Sequence, residues 1–201
     1  MMKEIETNKI DGFRIGHAQN IAAGTGCSVI IAEKGAVAGV DVRGGAPSTR
    51  ETDLLDPSNL VDKVHAVVLS GGSAFGLEAS CGVSKYLEER NIGFDVQVTK
   101  VAIICAASLF DLTIGNHKVR PDIQMGFNAS LESENNIPLQ GNIGAGTGAS
   151  VGKLLGMNRA MKGGLGICAV EVGKLQVGAM VAVNCLGDVI DPQTGKVLAG
   201  A

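Results

Sequence analysis

Asn184 ends an apolar run and precedes Cys185-Leu186-Gly187-Asp188. An Asn amide there can cap a loop, or its N–H₂ group can donate to the oxyanion that develops during acyl transfer. Lys153 is an isolated cation in an apolar, Gly-rich setting. Such a lysine is either a solvated surface charge or, desolvated beside a reacting group, a base of depressed pKa able to move protons. Ser73 lies in Ser70-Gly71-Gly72-Ser73-Ala74-Phe75-Gly76. A nucleophile elbow places glycines two before and two after its serine, and Phe75 occupies the second of those places. With no His and acid evident as partners, Ser73 reads as a helix cap rather than a hydrolase serine. Asn184-Cys185 is a bond type that self-cleaving proteins use, but a cut there would release only the 17 residues from Cys185 to Ala201, too few to hold a site.

The densest glycine cluster runs from Gly141 through Gly144, Gly146, Gly148 and Gly152 to Lys153. A phosphate-binding P-loop has four residues between its glycines, then Lys and a hydroxyl residue for the metal. Here three residues separate Gly148 from Gly152, and Leu154 follows the lysine. A dinucleotide fingerprint would follow a first strand, whereas this cluster follows a polar loop. Two readings remain. One is a tight turn into a closely packed helix. The other is an active-site wall where backbone N–H groups approach a ligand.

The elements that must position these residues are built from small and branched side chains. The 201 residues include 29 Gly, 5 Phe, 1 Tyr and no Trp, so Val, Ile, Leu and Ala must fill the core. The length suits one α/β domain, residues 1–201. A net charge of −3 without a basic run argues against nucleic acid. No apolar stretch reaches the roughly 18 residues of a membrane span, and the polar N-terminus does not resemble a signal peptide. A cytoplasmic protein is expected. The five cysteines show no CxxC and are expected to be buried, reduced thiols. His17, His65 and His117 show no paired ligand spacing, so no metal site is expected.

Periodicity and turn residues predict a loop over Ile15–Thr25. They also predict a hairpin of Cys27–Glu33 with Ala36–Val42 about Lys34-Gly35, and a long loop over Arg43–Asn59. A buried strand is predicted over Val64–Leu69, then a helix over Ala74–Arg90 with Phe75, Leu77, Val83, Tyr86 and Leu87 inward. The small residues Gly76, Ala79, Ser80 and Gly82 would bring that helix close to a sheet. Val96–Ala107 reads as strand, Pro121 to about Ser133 as helix, Asn135–Gly146 as loop and Gly148–Leu155 as a short helix. Gly166–Val172 and Leu175–Cys185 read as a hairpin turning at Gly173-Lys174. A short strand is predicted over Asp188–Asp191, then a turn at Pro192–Gly195. Strands at both ends with helices between them suggest sheet layers with helices outside, rather than a doubly wound sheet.

Taken together and in order, several stretches resemble one family. They are Ile15-Gly-His17-Ala, Gly24-Thr-Gly-Cys27, Val40-Asp-Val-Arg43-Gly-Gly-Ala-Pro47 and Thr49-Arg-Glu-Thr-Asp-Leu-Leu-Asp-Pro57. They continue with Leu69-Ser-Gly-Gly-Ser-Ala-Phe-Gly-Leu77, Gly141-Asn-Ile-Gly-Ala-Gly-Thr-Gly-Ala149, Ala160-Met-Lys-Gly-Gly-Leu-Gly166, and Val183-Asn184 through Gly187-Asp-Val-Ile-Asp191. The sequence resembles the self-cleaving N-terminal-nucleophile peptidases that include L-aminopeptidase/D-esterase, β-peptidyl aminopeptidases and nylon-oligomer hydrolase. The resemblance covers almost the whole chain.

The resemblance implies a four-layer αββα sandwich, with this chain as the α-chain portion and a separate β chain completing it. The β chain of the same precursor would begin with the nucleophilic Ser or Thr, whose own amine serves as base. Small peptides, amides or esters would be the substrates, no metal or cofactor would be needed, and the pairs would assemble as tetramers of α/β pairs. Asn184 would be an oxyanion or orienting donor and Lys153 an active-site lysine. Phe110 would line the pocket, and the Gly144–Gly148 turn, with Gly146, would wall it. The chain departs from the pattern at Ser108-Leu109-Phe110-Asp111, where the aminopeptidase branch resembles acid-x-Tyr-Asp. That departure favours an amidase nearer the nylon-oligomer branch. In the family, further residues and the β chain follow the point where this sequence stops. The alternatives are an acyltransferase resembling ornithine acetyltransferase and a truncated, non-catalytic member.

Overall fold

The computed structural model describes all 201 residues. In chain order they form β1 (Met2–Ile5), β2 (Arg14–Asn20), β3 (Thr25–Ala36), β4 (Thr49–Arg50), β5 (Val64–Ser70) and α1 (Ala79–Glu88). There follow β6 (Phe94–Asp95), β7 (Lys100–Val101), β8 (Ile104–Ser108), α2 (Ile123–Glu132), β9 (Ser150–Val151) and β10 (Met161–Lys162). Last come β11 (Gly164–Val172), β12 (Leu175–Val183), β13 (Val189–Ile190) and β14 (Val197–Ala199).

Period-two patterning builds the main sheet, of order β2-β3-β5-β8-β4. Only β5 and β8 are parallel, joined through α1. Cys27, Val29 and Ile31 of β3, Ala66 and Val68 of β5, and Ile104 and Ala106 of β8 bury one face against Val83, Tyr86, Leu87 and Ala129 of the helices. Each of the larger side chains contributes roughly 1.5–3 kcal/mol by leaving water. The helices touch through glycine. A Cβ on Gly82 would lie 1.9 Å from the Ile123 carbonyl oxygen of α2, and one on Gly126 would lie 1.9 Å from that of Ala79. Gly82 thus serves helix–helix contact, not the helix–sheet contact expected of it. Asp122 caps α2 by accepting from the Met125 N–H at 2.8 Å.

A second sheet, of order β1-β11-β12, packs on the opposite side of the main sheet. Between the two lies a 3₁₀ turn, Gly144–Gly146. Added Cβ atoms show how close the layers are. One on Gly26 of β3 would lie 2.4 Å from the Gly144 carbonyl oxygen, and one on Gly146 would lie 2.3 Å from the Leu165 nitrogen of β11. The order is therefore helices, sheet, sheet. The outer face of the second sheet carries Gly166, Cys168, Val170 and Val172 opposite Val181, Ala179, Val177 and Leu175. These side chains are apolar or small, and β1 adds Met2 and the charged Glu4 beside Val172 and Val170 at the edge. Leu175 is 63% exposed, Val177 51% and Val181 53%. An uncovered apolar sheet face of this kind fits a further layer of structure.

Several expectations are corrected. Arg14–Asn20 is a strand rather than a loop. Its sequence RIGHAQN holds a single strong β-former, Ile15, and its Gly16 is needed to admit α2, whose Ala129 carbonyl oxygen would lie 2.0 Å from a Cβ there. The hairpin at Lys34-Gly35 does not form. β3 continues to Ala36 through an irregularity, and its partners are β2 and β5. Gly148–Leu155 is not helical; Ser150–Val151 pairs with Met161–Lys162 instead. Of the Val96–Ala107 run only Lys100–Val101 and the residues from Ile104 onward, the start of β8, are strand. Phe75 is exposed, with the Arg120 guanidinium 4.0 Å above its ring. Ser73 opens a 3₁₀ turn at φ +55° and its side chain makes no cap. Cys27 and Cys105 are buried as expected, but Cys168 and Cys185 are exposed. No helix is long and apolar enough to cross a membrane.

Burial also sets an acid-sensitive point. The His17 Nδ1 lies 2.9 Å from the Ser28 Oγ, while its Nε2 is buried without a partner. Burial depresses the His17 pKa from 6.5 to about 4. A histidine whose folded pKa lies below its unfolded value binds fewer protons when folded, so stability is full above pH 6.5 and falls toward pH 4. The loss should be about 3 kcal/mol. Urea unfolding at pH 7 and pH 4.5 should show it, and His17→Gln should flatten it. An unchanged pH slope in that variant assigns the effect elsewhere.

Candidate active site

Asn184 follows the last residue of β12, where the chain leaves the second sheet. Its Oδ1 accepts two hydrogen bonds, from the Ser150 backbone N–H at 3.0 Å and from the Lys153 Nζ at 3.0 Å. Its Nδ2 donates to the Phe110 carbonyl oxygen at 2.9 Å. Two donors on one side and a carbonyl on the other fix which way the amide points. An amide nitrogen has two hydrogens, so one N–H remains beyond the bond to Phe110. Lys153 reaches the Asn184 backbone oxygen as well, at 3.2 Å. Desolvation lowers the Lys153 pKa below the usual lysine range, with the Cys185 thiol opposing.

Local backbone pairing brings these residues together. The Gly152 N–H donates to the Gly187 carbonyl and the Lys153 N–H to the Leu186 carbonyl, both at 2.8 Å. The segment around Lys153 is thereby laid along the turn that follows Asn184. Phe110 comes from the loop after β8 and is 53% exposed. Thus Asn184, Lys153 and Phe110, far apart in sequence, meet at one place. Gly144 and Gly146 are placed differently. Both are buried between the sheets, against Cys27, Ser28 and His17 on one side and Leu165 on the other.

Two neighbouring residues were not singled out from the sequence. Asp111 is 2% exposed, and its carboxylate accepts from the Gly72 N–H and the Thr25 hydroxyl, each at 2.7 Å. It explains two glycine motifs at once. A Cβ on Gly71 would lie 1.9 Å from its Oδ2, and one on Gly148 would lie 2.6 Å from its Cβ. Lys162, on β10, donates through Nζ to the Thr147 carbonyl at 2.6 Å, the Ala149 carbonyl at 3.1 Å and the Gly146 carbonyl at 3.5 Å. Desolvation lowers its pKa while the Asp111 charge opposes the shift. The signal for Asp111 was its place beside Phe110 in a quoted motif. Lys162 lay within Ala160-Met-Lys-Gly-Gly-Leu-Gly166, but a lysine on a two-residue strand has no periodic signature.

An amide held on three sides, with one N–H free beside a lysine of lowered pKa, can stabilise an oxyanion and relay a proton. The site offers no hydroxyl or thiol nucleophile bonded to a base.

Comparison with known proteins places the chain. It is 40% identical over 195 residues to an uncharacterised aminopeptidase of Mycobacterium tuberculosis, covering 92% of this chain and 54% of that protein. It is 33% identical over 196 residues to a 6-aminohexanoate-oligomer endohydrolase of Kocuria sp., covering 96% of this chain and 52% of the relative. The chain therefore spans about half the length of these relatives. The solved L-aminopeptidase D-Ala-esterase/amidase of Ochrobactrum anthropi, described as a variant of the Ntn hydrolase fold, superposes with a TM-score of 0.65 at 19% identity, over 90% of this chain and 53% of that one. That likeness shows the Ntn-hydrolase class of αββα fold. The pattern that defines peptidase family S58 matches residues 8–198, and the chain belongs to that family.

Proposed function

We propose that this chain is the α-chain portion of an amide or peptide-bond hydrolase whose nucleophile is the N-terminal Ser or Thr of a β chain cut from the same precursor. The observation that carries the reading is the Asn184 amide, clamped by Ser150, Lys153 and Phe110 with one N–H left to donate. The apolar outer face of the second sheet supports a β chain that packs there.

In this reading the β-chain hydroxyl attacks the substrate carbonyl and its proton passes to the terminal amine. The tetrahedral oxyanion takes the free Asn184 N–H. The leaving amine regains a proton as the C–N bond breaks, with Lys153 positioned to relay it, and water then hydrolyses the acyl-enzyme. This scheme uses no metal or cofactor. Phe110 offers ring surface without a hydroxyl, and the Ser108 hydroxyl is engaged with the Ser48 Oγ at 2.5 Å. Position 108 therefore has no carboxylate to hold a substrate's free amine, which favours amides or small peptides recognised by apolar contact. We expect tetramers of α/β pairs.

The test is expression of the complete reading frame. Intact mass and N-terminal sequencing should find two chains, the second beginning with Ser or Thr. Native mass should give four pairs, and 6-aminohexanoate oligomers or aminoacyl p-nitroanilides should be hydrolysed. An uncut chain inactive on both substrate types would defeat the reading.

A further inference from the structure

We propose that Lys162 is a positioning residue for the Asn184 amide, acting through the peptide bond between Ala149 and Ser150. The inference deepens the proposed function and rests on its reading of Asn184. The Lys162 Nζ donates to the Ala149 carbonyl at 3.1 Å. The N–H of that same peptide unit, carried by Ser150, donates to the Asn184 Oδ1 at 3.0 Å. Asn184 in turn donates through Nδ2 to the Phe110 carbonyl at 2.9 Å. A peptide unit is planar, so fixing its oxygen fixes the direction of its N–H. A cation on the oxygen also polarises the unit and strengthens the N–H as a donor. The same polarisation passes through the Asn184 amide to its own N–H groups.

The arrangement is built for this. Lys162 lies directly across the β9–β10 ladder from Ser150. Its three donors meet three carbonyl oxygens, those of Gly146, Thr147 and Ala149, all on buried residues. The Gly163 N–H also holds the Ala149 carbonyl, at 2.9 Å. The turn therefore keeps its fold while Lys162 sets the charge and the final orientation. Asp111 is the nearby counter-charge.

The experiment compares Lys162→Met and Lys162→Arg in the complete protein, each with Asn184 intact and as Asn184→Ala. Lys162→Met should lower kcat by about 10- to 100-fold, as small misplacements of a catalytic group do. KM should change by less than about twofold, since an interaction made only in the transition state is lost. Lys162→Arg should restore most of the rate. In the Asn184→Ala background Lys162→Met should cost nothing further. An equal loss in both backgrounds, or a lowered Tm with kcat unchanged, would overturn the inference. A second readout needs no turnover: the Asn184 side-chain amide resonances should shift in Lys162→Met and stay near their wild-type positions in Lys162→Arg. Unmoved resonances in Lys162→Met refute the positioning role. A wild-type protein without hydrolase activity counts against the proposed function alone, and the resonances still decide the role of Lys162.

Discussion

Asn184→Ala in the complete protein should lower kcat by about 10²–10³-fold, the usual loss for one oxyanion donor. The substitution also leaves the Ser150 N–H and the Phe110 carbonyl without their partner and frees Lys153. It would therefore cost on the order of 1–3 kcal/mol of stability. Asn184→Asp separates donation by the amide from the holding of Lys153. A carboxylate still accepts from Ser150 and still pairs with Lys153, but it has no N–H to donate. If Asn184 acts as a donor, the Asp variant should be as slow as the Ala variant although it keeps Ser150 and Lys153 in place, and its unfolding midpoint should fall because a carboxylate oxygen then faces the Phe110 carbonyl. If Asn184 serves only to hold Lys153, the Asp variant should keep its rate. Steady-state kinetics on the two purified variants, with thermal unfolding alongside, decides between these outcomes.

The sequence made some of this site legible and hid the rest, for physical reasons. Asn184 and Lys153 stood out because a polar amide closing an apolar strand, and a lone cation among glycines, are each unusual locally. That they share a hydrogen bond was not legible, because the contact spans 31 positions and depends on backbone pairing of 152–153 with 186–187. The hairpin at Gly173-Lys174 was readable from alternation and a two-residue turn. The strand Arg14–Asn20 was not. Its composition answers to α2, through Gly16, rather than to strand propensity. The same cause left the glycines of Gly141–Gly152 open to more than one reading. Density of glycine signals close approach, but it does not say what approaches. For Gly144 and Gly146 the neighbour is a sheet on either side. For Gly148 it includes the side chain of Asp111.

That carboxylate is the second place where a large effect is expected. Asp111→Ala should destabilise the protein by on the order of 3–5 kcal/mol, because it strands the buried Gly72 N–H and Thr25 hydroxyl and opens a cavity beneath them. For a chain of this length that lowers Tm by roughly 10 °C or more. Asp111→Asn keeps the shape and one acceptor, so its cost should be less than half as large. The glycine beside it supplies the decisive control. In the wild-type background Gly71→Ala drives a Cβ against the Asp111 Oδ2, 1.9 Å away, and should be severely destabilising. Once Asp111 is Ala, that collision is gone, although the Thr25 Oγ1 still lies 2.5 Å from the new Cβ. The two substitutions should therefore cost clearly less together than the sum of their separate costs. Strictly additive losses in urea unfolding would mean that Gly71 is required for some reason other than making room for the carboxylate. Strong non-additivity would tie the Ser70-Gly71-Gly72-Ser73 motif to the loop that carries Phe110, and through its carbonyl to the amide of Asn184.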